Sequence, residues 1–214
     1  RVCLRPCWPN CTVDRLARFS ERDTVHSFAY AQELTHTFFR VETSAKTADF
    51  LTILFSRGFN EPEPLLQTLV SSGGQAVEVA TELWRDQVWV RERLADQISI
   101  EVESGVIVSD ARMGFARFVK GRLRALALHD GSYVKLNGEV LVEADAEIEL
   151  SLAIEGRAAS GYVRGSDSGY LLSIKLGQTV EQLRHSGIEK KESLAAAAFE
   201  LSGAGALDLS LGED

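Results

Sequence analysis

The 214 residues of this chain carry 23 basic and 31 acidic side chains, a formal net charge of −8 at pH 7. With 45% hydrophobic and 25% charged residues, the composition is that of a globular protein that can bury a core without disulfide or metal staples. The acidic balance argues against a protein that grips nucleic acid over its whole surface, because such binding needs a positive field. No apolar run approaches the roughly 18–20 residues of a membrane-spanning helix.

The chain begins with RVCLRPCWPNC, which holds all three cysteines, Cys3, Cys7 and Cys11. These thiols and His26 would make up four zinc ligands, but two prolines stiffen the loop and there is no second cysteine pair. An odd number of cysteines also cannot pair completely within one chain. We expect inert or exposed thiols, with a metal site and a disulfide as open alternatives. The first 22 residues hold five arginines and two acidic residues, a composition typical of an organelle transit remnant, which is a further open reading.

Most of the first 97 residues is predicted to be helical. The exceptions are two aromatic runs within residues 25–43, which are predicted to be strands. Short helices are expected at 13–22 and 64–72, and a longer one at 44–58, where Ser44 can cap the start.

The strongest helix prediction covers residues 75–97. Its apolar side chains recur at the helical spacing: Val77, Ala80, Trp84 and Val88, widened by Ala76, Val79, Leu83, Val90 and Leu94. So wide a stripe indicates burial on more than one side. It fits either a core helix or a helix shared with a partner subunit, and Trp84 and Trp89 are the interface candidates.

At Ile98 the period of the apolar residues changes from 3.6 to 2. Residues 98–176 are predicted to form an antiparallel β meander of about five to seven strands, with hairpin turns at Asp130–Gly131 and Asn137–Gly138. Between Val140 and Ile154 all even positions are apolar, whereas Glu143, Asp145, Glu147 and Glu149 occupy the odd face. This sheet should therefore have one buried and one wet face.

Two helices are predicted near the C-terminus. Thr179-x-x-Gln182 forms a capping box for the first, which ends at Gly187, and the second runs on to Gly203. The tail then alternates at Leu207, Leu209 and Leu211, which can join its own sheet or the sheet of a neighbour. The predicted fold class is thus α+β, with regions 1–97 and 98–214 in one domain or two.

A basic stretch, KGRLRAL, occupies residues 120–126. It resembles the opening of Whirly-type single-stranded nucleic-acid binders. The basic side chains of this region make Arg117, Lys120, Arg122 and Arg124 the candidate nucleic-acid contacts. That family pairs a four-stranded sheet with a helix twice over, and the residues before 44 leave too little room for four strands. Alternatively, the basic side chains neutralise the acidic face of the next strand or meet another subunit.

A second short resemblance lies in GSDSGYL at 165–171. It is similar to the GDSGG stretch of chymotrypsin-like proteases, which implies Ser168 as a nucleophile with His36 and either Asp86 or Asp96. That family consists of two β-barrels, whereas the segment between His36 and Ser168 is predicted to be largely helical. A turn rich in glycine, serine and aspartate explains the stretch equally well.

The sequence therefore predicts a non-enzymatic structural or assembly subunit of a larger complex. The alternatives are a single-stranded nucleic-acid or RNA-associated protein and a hydrolase with an unfamiliar site. No cofactor or metal is predicted, since a straight acidic strand fans its carboxylates along a line, unlike a calcium loop. The expected partners are protein subunits, and an intracellular location, in the cytoplasm or an organelle matrix, is favoured.

Overall fold

The computed structural model describes six stretches of the chain, residues 12–22, 33–42, 64–176, 179–190, 192–193 and 198–212. The chain divides into two compact units, Arg1–Glu61 and Pro62–Asp214. Strands make up 74% of the structure and helices 0%, so the α+β prediction is wrong. Among the described residues there is no helix with the length and apolar character needed to cross a membrane.

The described part of the first unit is one antiparallel pair, β1 (Thr12–Arg22) and β2 (Glu33–Glu42). The strand prediction for 25–43 is correct over β2, and the helix prediction for 13–22 is wrong. The partners of β1 lie up to 30 positions along the chain, with Thr12 opposite Glu42. The spacing of neighbouring apolar residues carries no information about partners at that distance. The three cysteines, His26 and the helix predicted at 44–58 lie outside the described residues.

The described part of the second unit is a single sheet of 16 strands with antiparallel pairing throughout. In chain order these are β3 (Leu65–Thr68), β4 (Ser71–Ser72), β5 (Gly74–Ala80), β6 (Trp84–Arg91), β7 (Ile98–Val102), β8 (Gly105–Ser109), β9 (Met113–Val119), β10 (Arg122–Leu136), β11 (Glu139–Glu155), β12 (Ala158–Arg164), β13 (Tyr170–Ile174), β14 (Val180–His185), β15 (Ile188–Lys190), β16 (Glu192–Ser193), β17 (Ala198–Leu201) and β18 (Ala204–Leu211). The longest path through the sheet runs β15-β14-β18-β12-β11-β10-β9-β6-β5-β3.

The two longest strands, β10 and β11, join two wings of this sheet. The first half of β10 pairs with β9 and its last residues pair with β8. Likewise β11 pairs with β13 near its start and with β12 near its end. One wing is reached through β9 and β12, and the other through β8 and β13. The first contributes Trp89 and Leu207 to a buried cluster, and the second contributes Ile100 and Leu172 to the same cluster. The sheet thus folds over on itself around a single core.

The sharpest irregularity in β10 lies at Asp130–Gly131, where the predicted hairpin turn is wrong. Asp130 has a φ of 50°, and the strand continues through a register shift instead of reversing. The Asp110 carboxylate holds the bend by accepting hydrogen bonds from the backbone N–H of Ser132 and Tyr133, both at 2.9 Å. The other predicted turn, Asn137–Gly138, does join β10 to β11, with φ values of 53° and 82°.

The antiparallel sheet predicted for residues 98–176 is confirmed, and β7 to β13 fall in this range. The alternation in β11 is also as expected: Val142 and Leu150 are buried, whereas Glu143 and Glu147 are exposed. The strands do not follow one another as a meander, because β8 pairs with β10 and bypasses β9.

The helix predicted over 75–97 is instead the hairpin of β5 and β6. The Thr81 hydroxyl closes its turn by accepting hydrogen bonds from the backbone N–H of Leu83 and Trp84, both at 3.2 Å. All residues from Ala76 to Ala80 are buried, since both faces of β5 are covered. A strand covered on both faces has no polar side, and its apolar residues then match a broad helical stripe as well as a strand. The helix at 64–72 is likewise replaced, by β3 and β4.

Both predicted C-terminal helices are wrong, because β14 to β17 occupy these residues. Ser186 and Gly187 have φ values of 51° and 77°, which make a tight turn between β14 and β15 where a helix end was expected. The tail forms β18, which lies between β12 and β14. Leu207, Leu209 and Leu211 are therefore buried in the core of their own chain, and they offer no exposed surface to a partner.

A buried histidine at the end of β14 makes stability depend on pH. Burial, and secondly the charge of Lys190, lower the pKa of His185 from its ordinary 6.5, so folding favours the neutral ring. The unfolded chain binds a proton as the pH falls through 6.5, which favours unfolding. We expect the free energy of unfolding to fall as the pH falls through 6.5, and a His185→Leu variant to lose that part of the slope. Urea unfolding at several pH values measures it, and equal slopes in both proteins would contradict it.

Candidate binding groove

A groove of about 520 Å³ opens at the turn end of the β5–β6 hairpin. It lies between the β5–β6, β7–β8 and β9–β10 turns, and its lining residues are Thr81, Glu82, Leu83, Trp84, Arg85, Gln87, Glu103, Ser104, Phe118, Lys120 and Gly121. Pairing of β6 with β9 sets Arg85 opposite Phe118, which brings the first and third turns together. The volume is in the usual range of small-molecule sites, ~300–1,000 Å³.

A buried carboxylate, that of Glu78, holds two of the lining side chains, Arg85 and Gln87. Glu78 on β5 is almost fully buried and lies opposite Gln87 on β6. Its Oε1 accepts hydrogen bonds from Gln67 Nε2 at 3.0 Å and Arg85 Nη1 at 2.8 Å, and its Oε2 accepts one from Gln87 Nε2 at 2.8 Å. Three donors, one of which is the Arg85 cation, thus offset the cost of burying the negative charge.

Arg85 connects Glu78 to the β7–β8 turn at the rim of the groove. Its Nη1 meets Glu78, and its Nε lies 2.6 Å from Oε2 of Glu103 in the β7–β8 turn. One guanidinium therefore bridges two carboxylates and ties the β7–β8 turn to the β5–β6 hairpin. Because Arg85 is about two-fifths exposed, water weakens each ion pair, and we assign the bridge a positioning role.

The side chain of Gln87 keeps one buried polar atom without a partner. Gln87 is 2% exposed, and its Oε1 accepts no hydrogen bond within the part of the chain that the structure describes. A carboxylate only accepts, so Glu78 dictates that the amide NH₂ faces it and that Oε1 points elsewhere. An unsatisfied buried acceptor costs roughly 1–3 kcal/mol, so this amide oxygen lowers the stability of the hairpin.

The opposite face of β6 carries a second ion pair. Alternation sends Asp86 away from Arg85 and Gln87, and its carboxylate accepts two hydrogen bonds from Arg117, at 2.7 Å each. These bonds raise the pKa of Arg117 against the opposing effect of burial. The guanidinium also lies 5.0 Å from the centroid of the Trp84 ring.

The structure brings two of the predicted site residues together and separates the others. Trp84 and Lys120, proposed for different functions, both line the groove. Trp89 is fully buried in the core and has no surface for a partner. Arg122 is exposed at the start of β10, and a register shift between Leu123 and Ala125 takes Arg124 out of the alternation. With Arg117 paired to Asp86, the four cations do not form one basic face.

The residues of the protease resemblance are placed in different surroundings. His36 lies on β2 in the first unit, opposite Phe19. Ser168 lies in the turn between β12 and β13, where its hydroxyl is 2.6 Å from the hydroxyl of Ser166. Asp86 is committed to Arg117. These contacts support the reading of GSDSG as a turn.

One cluster of charged side chains was missed by sequence reasoning. The β10–β11 pairing brings His129 close to Glu149, with Nδ1 and Oε1 3.3 Å apart, and its Nε2 lies 3.4 Å from Oδ2 of Asp130. Arg112 and Arg164 add positive charge, 4.0 Å from Asp130 and 3.6 Å from Glu149 respectively. With two arginines beside two carboxylates, this is a surface ion-pair network and needs no cation.

Comparison with known proteins gives no family for this chain. No family model matches it, and no curated protein is significantly similar. The groove and the sheet must therefore be interpreted from their own geometry.

Proposed function

We propose that this chain is a non-enzymatic assembly subunit, and that it associates with a second copy of itself through the open edge of its sheet at β3. The observation that carries the proposal is the chemistry of this edge. Within the described residues β3 has a strand partner on one side only, β5. Its sequence, Leu-Leu-Gln-Thr, has no charge, and Leu65 is 60% exposed.

The two ends of the longest path through the sheet, β3 and β15, differ in how they meet solvent. At the far end, β15 has only three residues, and two of them, Glu189 and Lys190, are charged. Short length and charge are the devices by which proteins protect an edge strand from pairing with another chain. The β3 end lacks the charge, so β3 is the edge suited to pairing.

Pairing of β3 with its own copy also fits the rules of symmetric association. Two antiparallel copies of one strand are related by a two-fold axis, which is the commonest symmetry of soluble dimers. Because the strand is uncharged, no like charges come to lie opposite one another across the new pair. Leu83, which is 67% exposed in the neighbouring β5–β6 turn, adds apolar surface at the same end.

The test is the native mass of the full chain by sedimentation velocity. We expect a species of twice the 23.5 kDa chain mass. A Leu65→Lys variant should shift it to the monomer, because the charge would be placed on the pairing edge. Ile188→Lys, at an equally exposed apolar residue on the β15 edge, is the matched control and should leave the mass unchanged. A monomeric wild type at high concentration, or equal effects of both variants, would overturn the proposal.

A further inference from the structure

We propose that two copies of the chain pair their β3 strands in one defined register, with Leu66 opposite Thr68 of the partner subunit and Gln67 on the two-fold axis. This inference rests on the assembly function proposed above and specifies the geometry of its interface. It follows from the direction in which each backbone group of β3 points, and from the side chains that this register brings together.

The backbone of β3 alternates between groups that bond β5 and groups that face the open edge. Just beyond β3, the N–H of Leu69 donates to the carbonyl of Ala76 at 2.9 Å, which continues the antiparallel pairing of β3 with β5. In an antiparallel ladder, hydrogen-bonded pairs alternate with non-hydrogen-bonded pairs. Gln67 therefore also bonds β5, whereas the N–H and C=O groups of Leu66 and Thr68 point to the open edge.

The hairpin on the other side of β5 agrees with this assignment. The N–H of Thr81 donates to the carbonyl of Trp84 at 2.9 Å, so these two residues are a hydrogen-bonded pair at the turn of the β5–β6 hairpin. Alternation from this pair directs the backbone of Val77 towards β6 and that of Glu78 towards β3, where its partner is Gln67. Both neighbours of β5 thus give the same orientation for β3.

Of the two-fold registers that join the outward residues, one uses every outward group. With Leu66 opposite Thr68 of the partner subunit, each outward N–H meets a C=O of the other copy. If Leu66 instead faced Leu66 of the partner subunit, Thr68 would face Pro64, which has no N–H to donate. If Thr68 faced Thr68 of the partner subunit, Leu66 would face Val70. The carbonyl of Val70 already accepts a hydrogen bond from the N–H of Glu101, at 2.9 Å.

The same register provides an apolar contact for the exposed Leu65. Leu65, Gln67 and Leu69 alternate onto one face of the strand. With Gln67 on the axis, Leu65 comes to lie opposite Leu69 of the partner subunit, and Leu69 packs against the core of its own chain. Opposed side chains of antiparallel strands have Cβ atoms only ~4.5–5.5 Å apart, so each copy covers a leucine of the other. This contact accounts for an apolar side chain that is 60% exposed in the single chain.

Gln67 is suited to the position on the two-fold axis. Its Nε2 donates to Oε1 of Glu78 at 3.0 Å, which fixes the side chain over the strand. An amide nitrogen donates twice and an amide oxygen accepts, so Gln67 can bond Glu78 and Gln67 of the partner subunit at the same time. A charged residue in this place would meet its own charge across the axis.

Disulfide cross-linking of the full chain tests the register. The three native cysteines are first replaced by serine. Gln67→Cys should then cross-link to its own copy on oxidation, because residues of a non-hydrogen-bonded pair have Cα atoms ~4.5 Å apart, within the range of a disulfide. Leu66→Cys and Thr68→Cys are the matched controls. Each lies diagonal to its own copy, at ~7–8 Å, and should stay unlinked.

Sedimentation velocity of the same variants under reducing conditions separates the two proposals. A dimer that links through Leu66→Cys or Thr68→Cys, or that does not link through Gln67→Cys, would overturn the register and leave the assembly function standing. A chain that is monomeric before and after the cysteine substitutions would overturn both.

A proline substitution gives a second result that needs no cross-link. Leu66→Pro removes an N–H that faces the open edge, so we expect the variant to keep the circular dichroism of the wild type and to sediment as a monomer. Gln67→Pro removes an N–H that bonds β5 and should instead lower the free energy of unfolding of the chain itself. A folded Leu66→Pro variant that remains dimeric would contradict the proposed hydrogen bonds.

Discussion

Replacing Gly114 with alanine is expected to lower the free energy of unfolding by about 3 kcal/mol, the upper end of the usual cost of overpacking a core. Gly114 on β9 lies directly opposite Trp89 on β6. A Cβ at this position would lie 2.1 Å from Cζ2 of the indole ring, far inside van der Waals contact. Trp89 is fully buried, so its ring has no free space into which to move. Urea unfolding of the wild type and the variant measures the difference.

A double-mutant cycle tests whether the indole ring is the cause. Trp89→Phe removes the part of the ring that occupies the space beside Gly114. We expect the variant with both substitutions to be more stable than the sum of the two single effects implies. Gly212→Ala is the control, because its nearest neighbour would be the flexible end of Glu181 at 3.3 Å. Strict additivity in the cycle would show that the alanine acts by some means other than contact with Trp89.

Truncation of Leu207 to alanine is expected to lower the free energy of unfolding by ~3 kcal/mol, within the range measured for buried leucines. Leu207 is fully buried, and its strand, β18, pairs with β12 on one side and β14 on the other. The cost combines the lost burial with the cavity that remains. Thermal or urea unfolding of the dilute protein provides the measurement.

The neighbouring Asp208 supplies the control for this prediction. It lies on the same strand but points to the exposed face, so Asp208→Ala should change stability by no more than ~0.5 kcal/mol. If the tail instead belonged to the sheet of a partner, the effect of Leu207→Ala would depend on protein concentration. A loss of stability that vanishes on dilution would therefore contradict the intrachain position of β18.

The candidate groove was only partly predictable. The sequence predicted functions for Trp84 and Lys120, but in two unrelated sites, a subunit interface and a nucleic-acid interface. It predicted none for Glu78 and Gln87, because in a helix over 75–97 they would lie on the polar face and point to solvent. Recognising residues 74–91 as a hairpin reverses this reading, since the pairing of Glu78 with Gln87 places both on the buried face.

The sequence by itself determined the elements whose signal is local. The alternation along β11 and the Asn137–Gly138 turn needed only neighbouring residues, and both are found in the structure. The tertiary structure decided the state of the apolar segments 75–97 and 179–203. In the first segment, β5 is covered on both faces and has no polar side to reveal its period. Where the partner is distant, as for β14 beside β18, only the assembled sheet selects strand over helix.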